Sequence, residues 1–548
     1  MDDDFFAVGG DSIRSIQVVS RARARGVEVT PREIFQHRTV ASLAAVAAGR
    51  SAATAVLEEL EGGGVGFQPL LPIGRYLLEL GGGFGRFSMS AVAELPVGID
   101  EAGLTATVEA VWDRHDVLRS RLVDDGMTVA APGSVDVAEL IHRVECEGVW
   151  DEAWLELAGA ELDTATGLLD PAAGVMGRLV WFDAGADVPG RLIVVLHHLV
   201  VDGVSWRILL PDLAAAWKDV RDGRTPELPA VGTSVRRWAH ALVEEASSPE
   251  RVGELELWRS VVEGPDPLLG TRALDATVDT VSTVEHVWLN VPSWVTRAVV
   301  TDVPAAFRAG VNDGLLGALA VAVARWRQGR GVAESSLLVR LEGHGREEAV
   351  VPGADLSRTI GWFTSMFPVR LDVGDIDLGD ALAGGAAAGS VVKAVKEQVL
   401  RIPDKGMGYG LLRYLNDETA ELLASRPSGQ IAFNYLGHFT AADMPEELRG
   451  LGFHQAPGAG ELIATPDADM PVMSTLEINA AVTDTPDGPR LGVRFAFPTG
   501  VLSQAEVREL ADLWGTALEG LARHVGRPGA GGLTPSDVPL VTVGQAEL

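Results

Sequence analysis

The first fifty residues place apolar side chains at the spacing of short helices. Within residues 12–25 apolar positions recur every three residues, and Gly26 supplies a stop. Residues 30–33 read T-P-R-E, a helix start in which the threonine caps, the proline takes the first helical position and the glutamate reaches back. Thr39 is a second cap candidate, ahead of an Ala/Leu/Val-rich stretch. The pattern predicts a small all-α module whose own core is incomplete.

Beyond this module the pattern changes twice. Residues 49–66 carry three glutamates followed by a run of glycines, which is typical of a flexible connector. Strand-like apolar runs such as Leu192–Leu196 and Leu337–Leu341 then alternate with helical stretches such as Asn312–Trp326 and Glu506–His524. This alternation predicts a large α/β body.

Length and patterning together predict how that body divides. A chain of 548 residues exceeds the roughly 250 to 300 residues at which a single core stops growing. We therefore expect a helical module over residues 1–48, a linker over 49–66, two lobes over 67–245 and 246–526, and a Gly/Pro-rich linker over 527–548.

Composition excludes several functional classes. The formal net charge of −31 argues against a nucleic acid partner, because affinity for nucleic acids comes mainly from Lys and Arg side chains that neutralise phosphates. The single cysteine, Cys146, cannot form an internal disulfide, and no Cys/His spacing predicts a metal site. The longest apolar-rich run, Gly314 to Trp326, is too short to span a bilayer. We expect a cytosolic protein without a membrane partner.

The richest chemistry lies in HHLVVDGVSWR, residues 197–207, which follows a predicted strand and precedes a predicted helix. Adjacent residues on an extended segment point to opposite faces, so only one histidine can face a given cleft. His198 is our candidate for catalysis and His197 for structure, with Asp202 fixing the loop. A pair of buried core histidines and half of a metal site are the alternatives that the two histidines alone leave open.

Four more blocks combine glycines, aromatic residues and polar side chains. LEGHGRE ends a predicted strand with the carboxylate Glu342. It is followed by RTIGWFTSMFPV at 358–369, IPDKGMGYGLLRYL at 402–415 and FNYLG at 433–437. Taken singly, such blocks are more often core residues or turns than sites, and His344, Arg346 and Glu347 favour structural or ion-pairing roles.

Together these blocks resemble a known family. HHxxxDGxSW, which in this chain includes Gly203 and Trp206, is similar to the signature of the condensation-domain superfamily, whose members share the chloramphenicol acetyltransferase fold. The other blocks, in this order, resemble the epimerization domains of nonribosomal peptide synthetases, in which the first Glu of LEGHGRE is catalytic. The resemblance covers nearly everything from Leu71 to Leu540. It implies an α/β fold of two acetyltransferase-like lobes in a V shape.

A separate resemblance concerns VGGDSIRS, residues 8–15. It is similar to the attachment motif of peptidyl carrier domains, in which the serine, here Ser12, carries 4'-phosphopantetheine. The alternative from the residues alone is a helix cap. Carrier domains have a further helix before the segment that corresponds to DDFF, residues 3–6, so we expect a partial carrier bundle that lacks its first helix.

The resemblance implies a reaction and roles for the residues. The substrate would be an L-aminoacyl or peptidyl thioester on a carrier domain, in cis or in trans, and the reaction would invert its Cα. His198 and Glu342 would act on the two faces, and Tyr435 and Asn434 would position the arm or steady the enolate. For proton exchange near neutral pH, burial should raise the pKa of Glu342.

Geometry and partners follow from the same interpretation. We expect His198 and Glu342 to face each other across a tunnel, within roughly 10 Å. Asp202 should turn away from the tunnel and pair with an arginine, for which Arg119 is our choice. The implied neighbours are an adenylation domain upstream and a condensation domain downstream. A condensation catalyst that uses the same His198, and a catalytically silent docking module, are the alternatives.

Overall fold

We describe the fold from a computed structural model, which places residues 3–5, 10, 12–23, 25–48, 56–426, 428–439, 444–460, 462–538 and 544–545. The N-terminal module contains the helices α1 (Ser12–Arg23), α2 (Pro31–His37) and α3 (Val40–Ala48). The predicted capping box of α2 is confirmed, and the Thr39 hydroxyl accepts a hydrogen bond from the Ser42 backbone at 3.2 Å. The buried core of this module consists of Val19, Val29 and Ile34, with partly buried neighbours around them.

The first lobe of the body is built around a five-stranded sheet. Its region of the chain contains β1 (Gly66–Pro69), α4 (Pro72–Leu80), β2 (Ser88–Glu94), α5 (Glu101–Arg114), β3 (Ser120–Val123), β4 (Gly126–Val129), β5 (Ile141–Glu145), α6 (Glu152–Gly167), β6 (Gly177–Asp183), β7 (Arg191–His197), α7 (Trp206–Arg221) and α8 (Val235–Glu245). The predicted strand at Leu192–Leu196 is confirmed as the middle of β7. Every residue of β7 is buried, as expected for a central strand that is covered on both faces.

The second lobe is built around a six-stranded sheet. Its region of the chain contains α9 (Pro249–Gly253), α10 (Leu255–Val262), β8 (Val284–Val291), α11 (Ser293–Arg297), α12 (Val303–Phe307), α13 (Val311–Gln328), β9 (Ser336–Gly343), β10 (Ser365–Asp372), α14 (Leu378–Ala383), α15 (Ala386–Leu400), α16 (Met407–Tyr414), α17 (Asp417–Ala424), β11 (Ile431–Phe439), β12 (His454–Gln455), β13 (Leu476–Thr485), β14 (Gly488–Pro498) and α18 (Gln504–Val525). The predicted strand at Leu337–Leu341 and the predicted helices at Asn312–Trp326 and Glu506–His524 are confirmed within β9, α13 and α18. The strand order is β10-β9-β11-β13-β14-β8, with parallel pairs on both sides of β11.

The long apolar helix α13 lies in the core of the second lobe. Most of its side chains are buried, including Leu315, Leu319 and Val323. Among the described residues no single helix is long and apolar enough to cross a bilayer, although residues 293–307 and 311–328 pass such a test together as a pair bent by 106°. Burial in the core accounts for the apolar composition of α13.

A segment late in the chain leaves the second lobe and joins the sheet of the first lobe. β12 follows most of the second lobe in sequence, but it pairs antiparallel with β2 and so forms one edge of the five-stranded sheet. The backbone N–H of Phe453 donates to the carbonyl of Glu94 at 2.7 Å, and that of Ala456 donates to Val92 at 2.8 Å. The Phe453 side chain is fully buried with residues of the first lobe.

The predicted linkers are partly attached to the body. The Leu57 backbone donates to the carbonyl of Gly353 at 2.9 Å, and the Glu59 carboxylate accepts from the Ser234 hydroxyl at 2.7 Å. Near the other end, the Lys396 ammonium group lies 2.7 Å from the Asp537 carboxylate. The described parts of both segments are therefore ordered against the lobes. The V-shaped arrangement of the lobes stays a prediction.

Candidate active site

The two adjacent histidines occupy different environments at the end of β7. His197 is fully buried; its Nε2 lies 2.8 Å from the Phe84 carbonyl, and its Nδ1 accepts from the Leu199 backbone at 3.2 Å. With Nδ1 accepting, Nε2 carries the proton. Burial lowers the pKa of His197 to about 4, so the ring is neutral. These contacts agree with the structural role predicted for His197.

His198 begins a short 3₁₀ turn and lies between two aromatic rings. Its ring stacks on Phe87 with centroids 4.9 Å apart, and its centroid lies 4.5 Å from that of Trp362. Burial lowers the pKa of His198, and this effect outweighs the nearby backbone carbonyls and the Asp202 carboxylate, which act to raise it. His198 is therefore a neutral imidazole near neutral pH, the form that can accept a proton.

Asp202 fixes the histidine loop against the second half of the chain. Its Oδ2 accepts from Arg346 at 2.6 Å and from the Phe363 backbone at 3.1 Å, while its Oδ1 accepts from the Ser205 hydroxyl at 2.8 Å. Burial alone would raise the pKa of Asp202, but Arg346 and the Ser205 hydrogen bonds hold it below its ordinary value. One carboxylate thus joins three of the sequence motifs.

The prediction that Asp202 pairs with an arginine is confirmed, but the choice of Arg119 was wrong. Arg119 follows α5, where its guanidinium donates to the carbonyls of Trp112 and Asp113 and lies 2.7 Å from Asp116. It therefore satisfies carbonyls at the end of that helix, which have no partner within the helix. The sequence did contain an indication that Arg346 could be the partner of Asp202, because its motif lies at a strand end and an ion-pairing role was predicted for it.

Glu342 lies near the end of β9, beside Asn434 of β11. The Asn434 amide donates to Glu342 Oε2 at 2.8 Å, so the two predicted site residues are in direct contact. Burial raises the pKa of Glu342 to about 7, and the charge of Glu477 acts in the same direction. Glu342 can therefore both release and take up a proton near neutral pH, as proton exchange at a Cα requires. The expected separation of roughly 10 Å from His198 stays a prediction.

The sheet face that carries Glu342 bears further polar side chains that were not predicted from the sequence. Strand pairing places Asn434 opposite Asn479, and Asn479 opposite Arg494. Glu477, two positions before Asn479, accepts from its amide at 2.5 Å and lies 3.4 Å from Arg494. The polar alternation within residues 476–485 was the available signal, but it does not show which strands are neighbours.

The other predicted residues lie around this centre. Tyr435 follows Asn434 on β11 and packs against the core of the second lobe, so its predicted contact with substrate stays a prediction. Trp206 is the first residue of α7 and packs against the core of the first lobe. A Cβ at Gly203 would meet no protein atom within 4 Å, so open space lies beside the histidine loop. Ser12 is the first residue of α1, and its side chain lies outside the described residues.

A small, mostly apolar cavity lies next to the Glu342 strand. Its lining includes Tyr76, Met366 and Tyr414, and Met366 is the cross-strand partner of Glu342 on β10. Tyr76 lies 3.4 Å from Arg340, which is two positions before Glu342 on the same strand. The cavity is therefore lined by the strand partner of Glu342.

Comparisons with known proteins identify the families that this chain matches. Residues 66–530 match the condensation domain family, and residues 1–47 match the phosphopantetheine attachment site family. The whole chain is 36% identical to one of the linear gramicidin synthase proteins of Brevibacillus parabrevis, and 33% and 34% identical to two others of the same synthase. It spans only 7% to 10% of the length of these three relatives.

Two solved structures bear on the fold. The epimerization domain from the third module of tyrocidine synthetase B is 25% identical, with a TM-score of 0.69 over 87% of this chain and 99% of that one. The first condensation domain of the calcium-dependent antibiotic synthetase is 19% identical, with a TM-score of 0.57 over 85% and 98% of the two chains. The second similarity shows the fold alone.

Proposed function

The chain belongs to the condensation-domain family of nonribosomal peptide synthetases, and we propose that its body is an epimerization domain that inverts the Cα of a carrier-bound aminoacyl or peptidyl thioester. The observation that carries the proposal is Glu342, a partly buried carboxylate with a pKa of about 7, on the strand that leads into the loop bound to Asp202. Condensation with the same histidine needs no such carboxylate. The similarity to an epimerization domain supports the same conclusion.

The cofactor is 4'-phosphopantetheine, and the N-terminal residues fit its attachment. Gly10 is buried, and a Cβ there would lie 2.4 Å from the Phe5 ring, so the turn before α1 requires glycine. Ser12 follows as the first residue of the helix, and we assign the attachment to its hydroxyl. When bound, the arm presents the aminoacyl group as a thioester, whose carbonyl makes the Cα proton removable.

Two groups of this chain exchange the proton. His198 is neutral and accepts a proton from one face of the Cα, while Glu342, whose pKa of about 7 gives it access to both protonation states, serves the other face. Asn434 holds the Glu342 carboxylate in place through its amide. Conversion in one direction begins with His198 neutral and Glu342 protonated. Conversion in the other direction begins with His198 protonated and Glu342 ionised, so the same site catalyses both directions.

The aromatic and apolar surroundings set the protonation states. Phe87 and Trp362 lie against the His198 ring and help to exclude water from it. Asp202 positions the histidine loop and does not contact the substrate. Its carboxylate oxygens already accept hydrogen bonds from Arg346, Ser205 and the Phe363 backbone. The remaining partners that we propose are a carrier domain, an adenylation domain upstream and a condensation domain downstream.

The test is chiral analysis of the amino acid released from loaded carrier after incubation with each variant. Glu342→Gln and His198→Ala should each slow L-to-D conversion by about a hundred- to ten-thousand-fold, because each removes a general acid/base. Glu285→Gln on the outer strand β8 is the control, because that side chain is exposed and lies outside the site. Melting temperatures should stay near that of the unsubstituted protein.

Two results would contradict the proposal. Near-normal conversion by either site variant would remove that residue from the mechanism. Amide formation with an added aminoacyl acceptor carrier, with the L configuration retained, would instead assign the body to condensation.

A further inference from the structure

The last residue of α1 reaches from the N-terminal module to the body. Arg23 lies 2.7 Å from the Glu348 carboxylate and 2.5 Å from that of Asp355. α1 begins at Ser12, so the helix that carries the proposed attachment residue at one end is fixed to the body by the other. A helix of 12 residues spans about 16 Å to 18 Å, and the contact therefore restrains where the attachment end can lie.

The two receiving carboxylates are held in place independently of Arg23. Glu348 Oε1 accepts from the Leu356 backbone at 2.8 Å, and Asp355 Oδ1 accepts from the Ser357 hydroxyl at 2.7 Å. The Asp355 backbone exchanges hydrogen bonds with Thr233, at 2.8 Å and 2.9 Å. A loop braced in this way loses little conformational freedom when a cation binds to it.

This contact is partly buried at Glu348 and more open to solvent at Asp355, whose side chain is 40% exposed. The Glu348 side chain is 12% exposed and that of Arg23 23% exposed. Burial raises the pKa of Glu348 although Arg23 acts to lower it, and for Arg23 itself the two carboxylates outweigh burial, so its pKa is raised. Removing Arg23 would therefore leave the Glu348 carboxylate partly buried without its cation.

A second contact brings the connector to the same loop. The Leu57 backbone donates to the carbonyl of Gly353, which lies between the two carboxylates in sequence. The same loop continues from Arg346, which binds Asp202, to Trp362, which contacts His198. The loop that receives α1 is thus continuous with the residues that hold the catalytic histidine.

We propose that Glu348 and Asp355 form the docking site for the carrier helix of this chain, with Arg23 as the residue that docks. The inference rests on the proposed function, because it concerns delivery of a carrier-bound substrate to that site. The 348–355 loop would thus bind the basic C-terminal end of the helix that begins at Ser12.

The experiment compares two substrates in the full chain. Ser12 is loaded with an L-aminoacyl-pantetheine, and single-turnover conversion on the tethered arm is measured beside conversion of a free L-aminoacyl-pantetheine thioester. Arg23→Gln should lower the ratio of tethered to free conversion roughly tenfold, the equivalent of about 1.4 kcal/mol. Raising the salt concentration should lower the tethered rate of the unsubstituted chain but change that of Arg23→Gln little.

Matched variants separate docking from folding. Arg21→Gln removes an exposed arginine from the same helix and should leave the ratio unchanged. Glu348→Gln should lower the ratio about as much as Arg23→Gln, and the double variant should be no worse than either alone. An unchanged ratio in Arg23→Gln, or additive losses in the double variant, would overturn the docking site. Loss of conversion for both substrates in the unsubstituted chain would instead overturn the proposed function.

Discussion

Glu342 shares its sheet face with a second carboxylate that affects its charge. Glu477 of β13 pairs with Ala432 of β11, and Ala432 pairs on its other side with Arg340 of β9. Glu477 therefore lies one row away from the Glu342–Asn434 contact, on the same face. Its negative charge raises the pKa of Glu342, because a nearby like charge disfavours a second ionised carboxylate.

This neighbour gives a pH prediction at the scale of one residue. Glu477→Gln removes the like charge, so the pKa of Glu342 should fall from about 7, and the corresponding limb of the pH–rate profile should move to lower pH, by up to about one unit. The pH dependence of kcat/KM for the free aminoacyl-pantetheine thioester measures this shift.

The control for this variant lies on the same strand. Asp484→Asn removes a carboxylate from the exposed end of β13, where it pairs with His438. It should leave the profile in place. A limb that stays fixed or moves upward in Glu477→Gln would show that Glu477 does not act on Glu342.

At the scale of elements, the buried Asp202–Arg346 pair connects the end of β7 with the loop after β9. The Arg346 side chain is 1% exposed and that of Asp202 5% exposed. Removing one member leaves the other charge buried without a partner, which typically costs about 3 to 5 kcal/mol. Removing both avoids that penalty.

Thermal or denaturant unfolding of three variants tests this account. Arg346→Gln and Asp202→Asn should each lower the free energy of unfolding by about 3 kcal/mol or more, and the double variant should recover part of the loss. Arg143→Gln is the comparison, because its guanidinium pairs with Asp183 at the solvent-exposed surface and its loss should change the free energy of unfolding little. Simple additivity of the two single losses would contradict a coupled pair.

The same elements show what the sequence could and could not predict. The strand at Leu192–Leu196 and the helix at Asn312–Trp326 were correctly placed, because their periodicity is local and strong. The sequence pattern could not identify the arginine that pairs with Asp202. Arg119 and Arg346 are both distant from Asp202 in sequence, and only the folded chain shows that Arg346 is the one in contact. The raised pKa of Glu342 was predicted, whereas the influence of Glu477 depends on a strand pairing between distant segments.

At the scale of the whole molecule, the body contains two separate large cores. One lies around the five-stranded sheet and also takes in residues from 350–363, 407–411 and 444–470, and the other lies around the six-stranded sheet. The sequence-based boundary at residue 245 takes no account of the segment around β12, which returns to the first lobe. A strand of two residues carries no periodicity that could have revealed this return.

Hydrogen exchange measures whether the lobes open independently. Phe453→Ala removes a fully buried ring beside β12, at a cost of about 3 to 5 kcal/mol. Amides of β2 and β7 should exchange faster, while those of β13 and β14 keep their protection. Phe497→Ala, in the core of the other lobe, should speed the exchange of amides in β13 and β14 and leave those of β2 and β7 protected. Equal loss of protection in both sheets would show that the lobes open as one unit.

The returning strand also bears on how hybrids of such proteins can be assembled. A hybrid that joins the first lobe of one protein to the second lobe of another at a single junction near residue 245 would supply β12 from the wrong parent. The hydrogen bonds of Phe453 and Ala456 to β2, and the burial of the Phe453 ring, would then join surfaces that did not evolve together. A hybrid with two further junctions, so that residues 444–473 come from the parent of the first lobe, keeps that edge of the sheet intact.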